Sequence, residues 1–456
     1  MIRLVLITVL LCVAEIQAAP VVEKNKPNIL FIIIDTLRSD HAGCYGYNRP
    51  TTPELDRLAS EGILFQSAIA SSSWTIPSIM SIFTALDPSL HGVTSHSDRL
   101  GPGFATFAGS LKQGGYQTAG IVSTPSLVSQ FGFNTGFDFY DDISIPMNVG
   151  MDLSEQDKSA TGYHLKETSE PVTRLAVGWL RNRRDAKKPF MLFLHYFDPH
   201  VDYQPPAEYA AMFTDPSYAG SRDGTEILSL KNKLLTQEDK KHIVDLYDGE
   251  IRYTDDQIAR LFEELRSLDL YSNTLIVVTS DHGEEFWDHG SLGHGHTLYE
   301  EQVKVPLVIK LPGGESAGTV CTNLISHVDL MPTILARVDL PISSQCQGAI
   351  VSWEEKQTAS ECRMETDIEG SIKAIRTYTH KYIKHFPSDA EEAFRLSEDP
   401  GEKKNLAESQ KPPADFREVL AHFDKWAEIL KTAKPGVKIT IDDELSRKLR
   451  SLGYVK

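Results

Sequence analysis

Seven residues, Asn28-Ile-Leu-Phe-Ile-Ile-Ile34, are apolar almost without a break, and four of them are isoleucine. Alternation of apolar and polar residues suits a sheet with one wet face. A continuous apolar run of strand length suits a strand covered on both faces. Four further runs share this character: Tyr116–Ser123, Phe190–Phe197, Thr274–Thr279 and Val305–Leu311. Helical patterns fall between them at Pro53–Glu61, Pro77–Ala85, Pro171–Arg184, Gln237–Ser267 and Asp329–Arg337. Strands alternating with helices predict an α/β fold, a doubly wound and mostly parallel sheet. The chain has 456 residues, enough for a second, smaller unit. Ala374–His385 alternates, Ala393–Leu396 follows a polar turn, and Phe416–Thr432 and Asp442–Leu452 pattern as helices. The expected division is a main α/β domain over 26–345 and a C-terminal α+β subdomain over 346–456.

Charge narrows the partners. Asp and Glu number 63 against 46 Lys and Arg, a formal charge of −17. A nucleic-acid backbone would be repelled, so no nucleic-acid partner is expected. Residues 1–18 pattern as a secretory signal peptide, with Arg3, an apolar run from Leu4 to Ala14, and small residues at Ala18 and Ala19. No later stretch approaches the roughly 18 apolar residues of a membrane span. Export to the periplasm or the medium is expected, and the lack of any Asn-x-Ser/Thr sequon points to a bacterial source. Four cysteines follow the leader, Cys44, Cys321, Cys346 and Cys362. Export makes a disulfide permissible, with Cys346 and Cys362 the most local pair, though spacing does not establish it. Nothing in the pattern sets the oligomeric state.

Three of the predicted strands run into residues able to ligate a metal: Asp35, then Asp198-Pro-His200, then Asp281-His282. In open α/β sheets ligands bind outside the carboxyl ends of the strands, so these side chains converge on one crevice. A single Asp there would be an ordinary turn or cap residue; three such endings, two with histidine, point to a metal. Two oxygens and a nitrogen suit Mn or Zn, with Ca or Mg also possible. Thr75 precedes Pro77 and an apolar helix. Its hydroxyl is either a helix cap or a nucleophile held at the positive end of a helix dipole. Three histidines, His289, His294 and His296, lie within eight residues after Asp281-His282. At least one suits phosphate contact, leaving-group protonation or a second metal.

The ordered blocks Asp35-Thr-Leu-Arg38-Ser-Asp40, Thr51-Thr-Pro-Glu-Leu-Asp56, Pro88-Ser-Leu-His91-Gly92, Asp198-Pro-His200, Ser280-Asp-His-Gly283 and Asp399-Pro-Gly-Glu-Lys-Lys-Asn-Leu406 resemble the sulfatases of the alkaline phosphatase superfamily. The resemblance implies that fold and a metal-dependent ester hydrolase. It also shows departures. Sulfatases carry Cys or Ser in a Cys/Ser-x-Pro-x-Arg motif, oxidised to formylglycine. Here Thr75 takes that place and Ile79 stands where the Arg would be. Oxidising Thr would give a ketone, so no formylglycine is expected. The second Asp of the sulfatase pair is Thr36, the usual Asn is His282, and Gly120–Thr124 replaces the Lys-Trp-His segment. Asp, Thr, Asp and His is the set used by the phosphoryl-transferring relatives.

The expectation is therefore one divalent ion on Asp35, Asp281 and His282, with Thr75 attacking phosphorus of a phosphate mono- or diester or a phosphonate. His200 or His294 would protonate the leaving oxygen. Asp198, His200, His294 and His296 could instead form a second metal or substrate site. The substrate would be a small-molecule, glycan or lipid-head-group ester. Three alternatives stand beside this: a sulfuric ester hydrolase, a phosphoryl head-group transferase, and an inactive binding protein on the same scaffold.

Overall fold

The computed structural model describes residues 26–144, 168–225, 227–231, 233–356, 361–408 and 411–451. The predicted signal peptide and the loop around Met147–Gly162 lie outside them. A nine-stranded sheet forms the centre. Strand Asn28–Ile34 pairs in parallel with Thr274–Ser280 on one side and Phe190–Tyr196 on the other. Gln117–Ile121 and then Phe139–Asp141 extend the parallel run beyond Phe190–Tyr196. The three central strands are buried at every position.

Alternate residues of these strands serve two separate cores. Ile29, Phe31 and Ile33 pack with helix Thr75–Thr84 and helix His327–Arg337. Leu30, Ile32 and Ile34 pack with Pro53–Glu61, Ser169–Asn182 and Gln237–Ser267 on the other face. This two-faced burial is why the strands read as continuous apolar runs.

The expected fold holds, with differences at particular elements. Val305–Leu311 is two short strands, Lys304–Val305 and Leu307–Lys310, separated by Pro306, which has no N–H to give to a ladder. Leu307–Lys310 runs antiparallel to Thr274–Ser280. Strand Ile63–Ile69 was not anticipated, because Gln66 and Ser67 break its apolar run. Nor was Thr319–Ser326, which pairs with it through a bulge. Helices start earlier than their prolines and acids suggest. Thr75–Thr84 begins two residues before Pro77, and His327–Arg337 begins under a capping box of Ser326 and Asp329.

A four-stranded antiparallel sheet follows: Cys362–Thr366, Ser371–Arg376, His380–Phe386 and Glu391–Arg395. One face joins the first core through Met364, Ala374, Ile383 and Phe394. The other packs Ile375 and Tyr382 against Val419, Phe423 and Trp426 of helix Arg417–Leu430. The chain then returns to the main layer, where Val437–Lys438 pairs with Asp98–Arg99. Leu445 and Leu449 of the last helix join the first core. Cys44, Cys321, Cys346 and Cys362 are all free thiols, so Cys346 and Cys362 are not paired. No described helix is long and apolar enough to cross a membrane.

Candidate active site

Register brings the first two carboxylates together. Ile34 is paired with Ser280, so Asp35 and Asp281 leave adjacent parallel strands at the same end of the sheet. The Asp35 N–H donates to the Tyr196 carbonyl at 2.9 Å, which ties the third strand to the same point. Asp35, Asp281 and His282 are fully buried and offer ligand atoms within 4.8 Å of one another. The His282 Nε2 lies 3.6 Å from Asp35 Oδ1 and 3.4 Å from Asp281 Oδ2. Its Nδ1 sits 2.9 Å from the Gly283 carbonyl, which fixes Nδ1 as the donor and directs the Nε2 lone pair inward.

These atoms fit a cation. Both Asp35 oxygens and Asp281 Oδ2 are buried without a hydrogen-bond partner. Burial, then Asp281, then Glu284 push the Asp35 carboxyl well above its ordinary range. Two adjacent buried carboxylates with orphaned oxygens are costly unless a positive charge joins them. The donor set of two carboxylates and one imidazole suits a first-row divalent metal.

Thr75 stands beside this group. It is the first residue of its helix, with Trp74 in the capping position and no side-chain cap bond. The helix-cap alternative for the Thr75 hydroxyl is therefore set aside. The Thr75 Oγ1 is 3.3 Å from His282 Nε2 and fully buried. Ser78, one turn on, donates to the Asp281 carbonyl at 2.6 Å and pins the helix to the strand end. Thr36 supports the opposite wall in the left-handed region at φ 56°, unusual for a β-branched residue. Its N–H donates to Asp281 Oδ1 at 3.2 Å, and Tyr247 donates to its carbonyl at 2.8 Å. Arg38 forks onto Asp40 and Asp288 and donates to the Glu284 carbonyl, bracing the first loop.

Five other predicted residues lie in the surrounding network. His294 lies against the Asp35, Asp281 and His282 group, its ring centre 4.5 Å from that of His282 and 4.9 Å from that of His200. Its Nδ1 is 3.0 Å from Glu284 Oε1. His200 stacks on Phe197 at 4.3 Å, and its Nδ1 meets the Val201 carbonyl at 2.8 Å. Burial and His294 hold His200 down to about 3; burial and His282 hold His294 well below the ordinary imidazole value. Asp198 serves another purpose: its carboxylate accepts bonds from the Thr168 and Ser169 N–H groups and hydroxyls at the start of helix Ser169–Asn182. His296 is bonded to Glu285 at 2.8 Å, and His289 lies between Glu301 and the Glu402 carbonyl.

Sequence reasoning missed two residues. His195, on strand Phe190–Tyr196, is fully buried with its Nε2 3.4 Å from Asp35 Oδ2. Neither ring nitrogen makes a hydrogen bond. The available signal was a lone imidazole inside an apolar run. Glu284 is fully buried between the Tyr203 hydroxyl at 3.0 Å and His294. Its place two residues after His282 was the only hint.

The family model for sulfatases matches residues 27–340. A second model, described as N-sulphoglucosamine sulphohydrolase, C-terminal, matches residues 288–425. The N-acetylglucosamine-6-O-sulfatase of Bacteroides thetaiotaomicron is 27% identical, the match covering 88% of this chain and 87% of that protein. A solved structure of a protein in complex with its substrate D-glucosamine-2-N,6-O-disulfate superposes with a TM-score of 0.70 at 22% identity. That match covers 89% of this chain and 98% of the other. The phosphonate monoester hydrolase of Agrobacterium radiobacter gives a TM-score of 0.67 at 22% identity, covering 89% and 95%.

Proposed function

The chain belongs to the sulfatase family, metal-dependent hydrolases of the alkaline phosphatase superfamily, and on that premise we propose that it hydrolyses phosphate mono- or diesters, or phosphonates, with Thr75 as nucleophile. The observation that carries this reading is the Thr75 hydroxyl itself, buried 3.3 Å from His282 Nε2 beside orphaned carboxylate oxygens. A threonine cannot become the aldehyde that lets sulfatases release sulfate without attack at sulfur. A threonine phosphate ester has an exit, because water can attack its phosphorus.

Asp35, Asp281 and His282 would hold one divalent ion, manganese or zinc by ligand chemistry. When bound, that ion supplies charge stabilisation to the transferred group and lowers the cost of deprotonating Thr75. Thr75 would enter the cycle with its proton already released to solvent; its oxygen forms its bond to phosphorus as the bond to the leaving oxygen breaks, and it departs in the same form when water attacks. His200 or His294 gives the leaving oxygen a proton. Burial lowers the proton affinity of both, and an incoming phosphate raises it, so the acid form would arrive with the substrate. Water then attacks the phosphothreonine, passes a proton back to the same imidazole, and Thr75 is restored. Helix Thr75–Thr84 orients the nucleophile through Ser78.

Export belongs to the same reading, with residues 1–18 as a signal peptide and the protein acting outside the cytoplasm. Residues 26–345 would carry the chemistry, and 346–456 would wall the crevice. A second reading, sulfuric ester hydrolysis on a glycan, draws on the substrates named for the relatives.

The test is turnover of three nitrophenyl esters by the metal-loaded protein: a sulfate, a phosphate monoester and a phosphate diester, each with Thr75→Ala as control. Phosphate turnover falling by at least roughly a thousandfold in the variant supports the proposal. Sulfate turnover as the main activity establishes the second reading instead. Faster transfer to an added alcohol than to water marks a transferase. No turnover and no metal binding leaves a binding protein.

A further inference from the structure

Thr75, Asp35 and His282 are fully buried, yet a substrate must reach them. The segment beside them is Leu292-Gly-His-Gly295, in which Gly293 (φ 96°) and Gly295 (φ 82°) flank His294 in a conformation that favours glycine. Two other segments lie on this stretch. Leu228, from the short turn Ile227–Leu230, places its Cδ2 3.4 Å from where a Cβ on Gly293 would sit. Ile368, from the turn between the first two strands of the C-terminal sheet, places its Cδ1 2.7 Å from the same point on Gly295. Trp74, the neighbour of Thr75, reaches Gly295 as well. An ion pair joins the two turns, Lys231 Nζ to Glu369 Oε1 at 2.9 Å. Their side chains are 29% and 56% exposed.

We propose that Lys231 and Glu369 form a clasp over the crevice, and that Lys231 exchanges Glu369 for a second anionic group of the substrate, outside the ester that is cleaved. This rests on the reading of the Thr75 crevice as the active site, but not on the choice of phosphate over sulfate. Three features support it. The pair joins two distant parts of the chain whose neighbours Leu228 and Ile368 lie on the glycine segment that carries His294. It is solvated, and ion pairs of that kind contribute little stability, so trading one carboxylate for another anion is cheap. Asp35, Asp281 and Glu284 make no ion pair with Lys or Arg among the described residues, so a cation for the rest of a polyanionic substrate has to come from the rim. The favoured substrate class is thus an ester bearing a further carboxylate, phosphate or sulfate.

The test is calorimetric binding of non-hydrolysable probes to the metal-loaded protein. Ethylphosphonate carries one anionic group; phosphonoacetate and 3-phosphonopropionate carry two. The expected result is at least tenfold tighter binding of one of the doubly charged probes. Lys231→Met should abolish that preference, and Glu369→Gln, which removes the resting competitor, should widen it severalfold. A pair with only a structural role would move both variants in the same direction. That outcome, equal affinity for all three probes, or no binding of any of them overturns the clasp. Failure of the phosphoryl reading is separate: it shows as no turnover of nitrophenyl phosphate while the probe preference persists.

Discussion

Two of the places where the molecule buries charge handle it in opposite ways. Where the C-terminal sheet meets the main layer, Glu300 and Glu402 face Arg376 and Lys381. Arg376 Nε is 3.0 Å from Glu300, and Lys381 Nζ is 3.3 Å from Glu300 and 2.9 Å from Glu402. Two acids meet two bases, and the account closes internally. Burial opposes the Glu300 charge, but Arg376 and Lys381 outweigh it and hold the carboxyl at about 2. In the crevice, Asp35, Asp281 and Glu284 meet no Lys or Arg among the described residues, only imidazoles and hydrogen-bond donors, and the Asp35 carboxyl is pushed up by burial and by Asp281. In the first cluster each acid has a Lys or Arg within 3.3 Å, although burial still raises the Glu402 carboxyl to about 7. The second is complete only with a cation from outside, and that is the difference between a structural ion network and a site for chemistry.

The contrast can be broken most severely at Asp281. Asp281→Asn removes one ligand charge and should lower both cation affinity and turnover by at least roughly a thousandfold, measured by calorimetry and steady-state kinetics. In the closed network the expected damage is to stability alone. Lys381→Met leaves Glu402 without its nearest base and should cost about 3 kcal/mol in urea unfolding, with no rescue by added metal. Chelation is the converse experiment. Removing an ion present at a thousandfold above its dissociation constant should cost about 4 kcal/mol, seen as a fall in melting temperature that Asp281→Asn no longer shows.

His195 sharpens the same contrast. Its Nε2 lies 3.4 Å from Asp35 Oδ2 and makes no hydrogen bond of its own, so it is within reach of the same cation. His195→Gln should weaken cation binding by roughly tenfold to a hundredfold while leaving one ion per chain. A pH-dependent effect belongs to His91, which is bonded to Ser81, lies 3.3 Å from the Pro77 carbonyl of the Thr75 helix and accepts from the Val93 N–H. Burial lowers its pKa to about 3. The unfolded chain then binds a proton that the folded one refuses, so His91 stabilises the fold above about pH 6.5 and that contribution is lost as pH falls towards 3. The wild type should lose about 1.4 kcal/mol per pH unit more than His91→Gln across pH 6 to 4.

Much of the crevice was legible because strand order and chemistry coincide. Asp35, Asp281 and His282 end strands whose apolar runs announce a doubly wound sheet, and such sheets gather ligands at that edge. The two-metal alternative rested on the same logic applied to Asp198, and there local chemistry intervened: a carboxylate at a strand end also caps a helix, and Thr168 and Ser169 use it so. His195 and Glu284 were hidden for a different reason. Each is defined by a neighbour from another strand or loop, Asp35 and Tyr203 respectively, and no spacing along the chain encodes that pairing. The clasp is a still longer-range product, joining residues 231 and 369.

The central claim is that the Asp35, Asp281 and His282 group is a divalent-cation site with Thr75 at its edge. Titration of the chelator-treated protein with manganese and with zinc tests it most directly. The expected result is one ion bound per chain, a rise in melting temperature with saturation, and loss of both in Asp281→Asn. Absence of any divalent binding, or binding that Asp281→Asn leaves intact, would contradict the claim and every hydrolytic reading built on it.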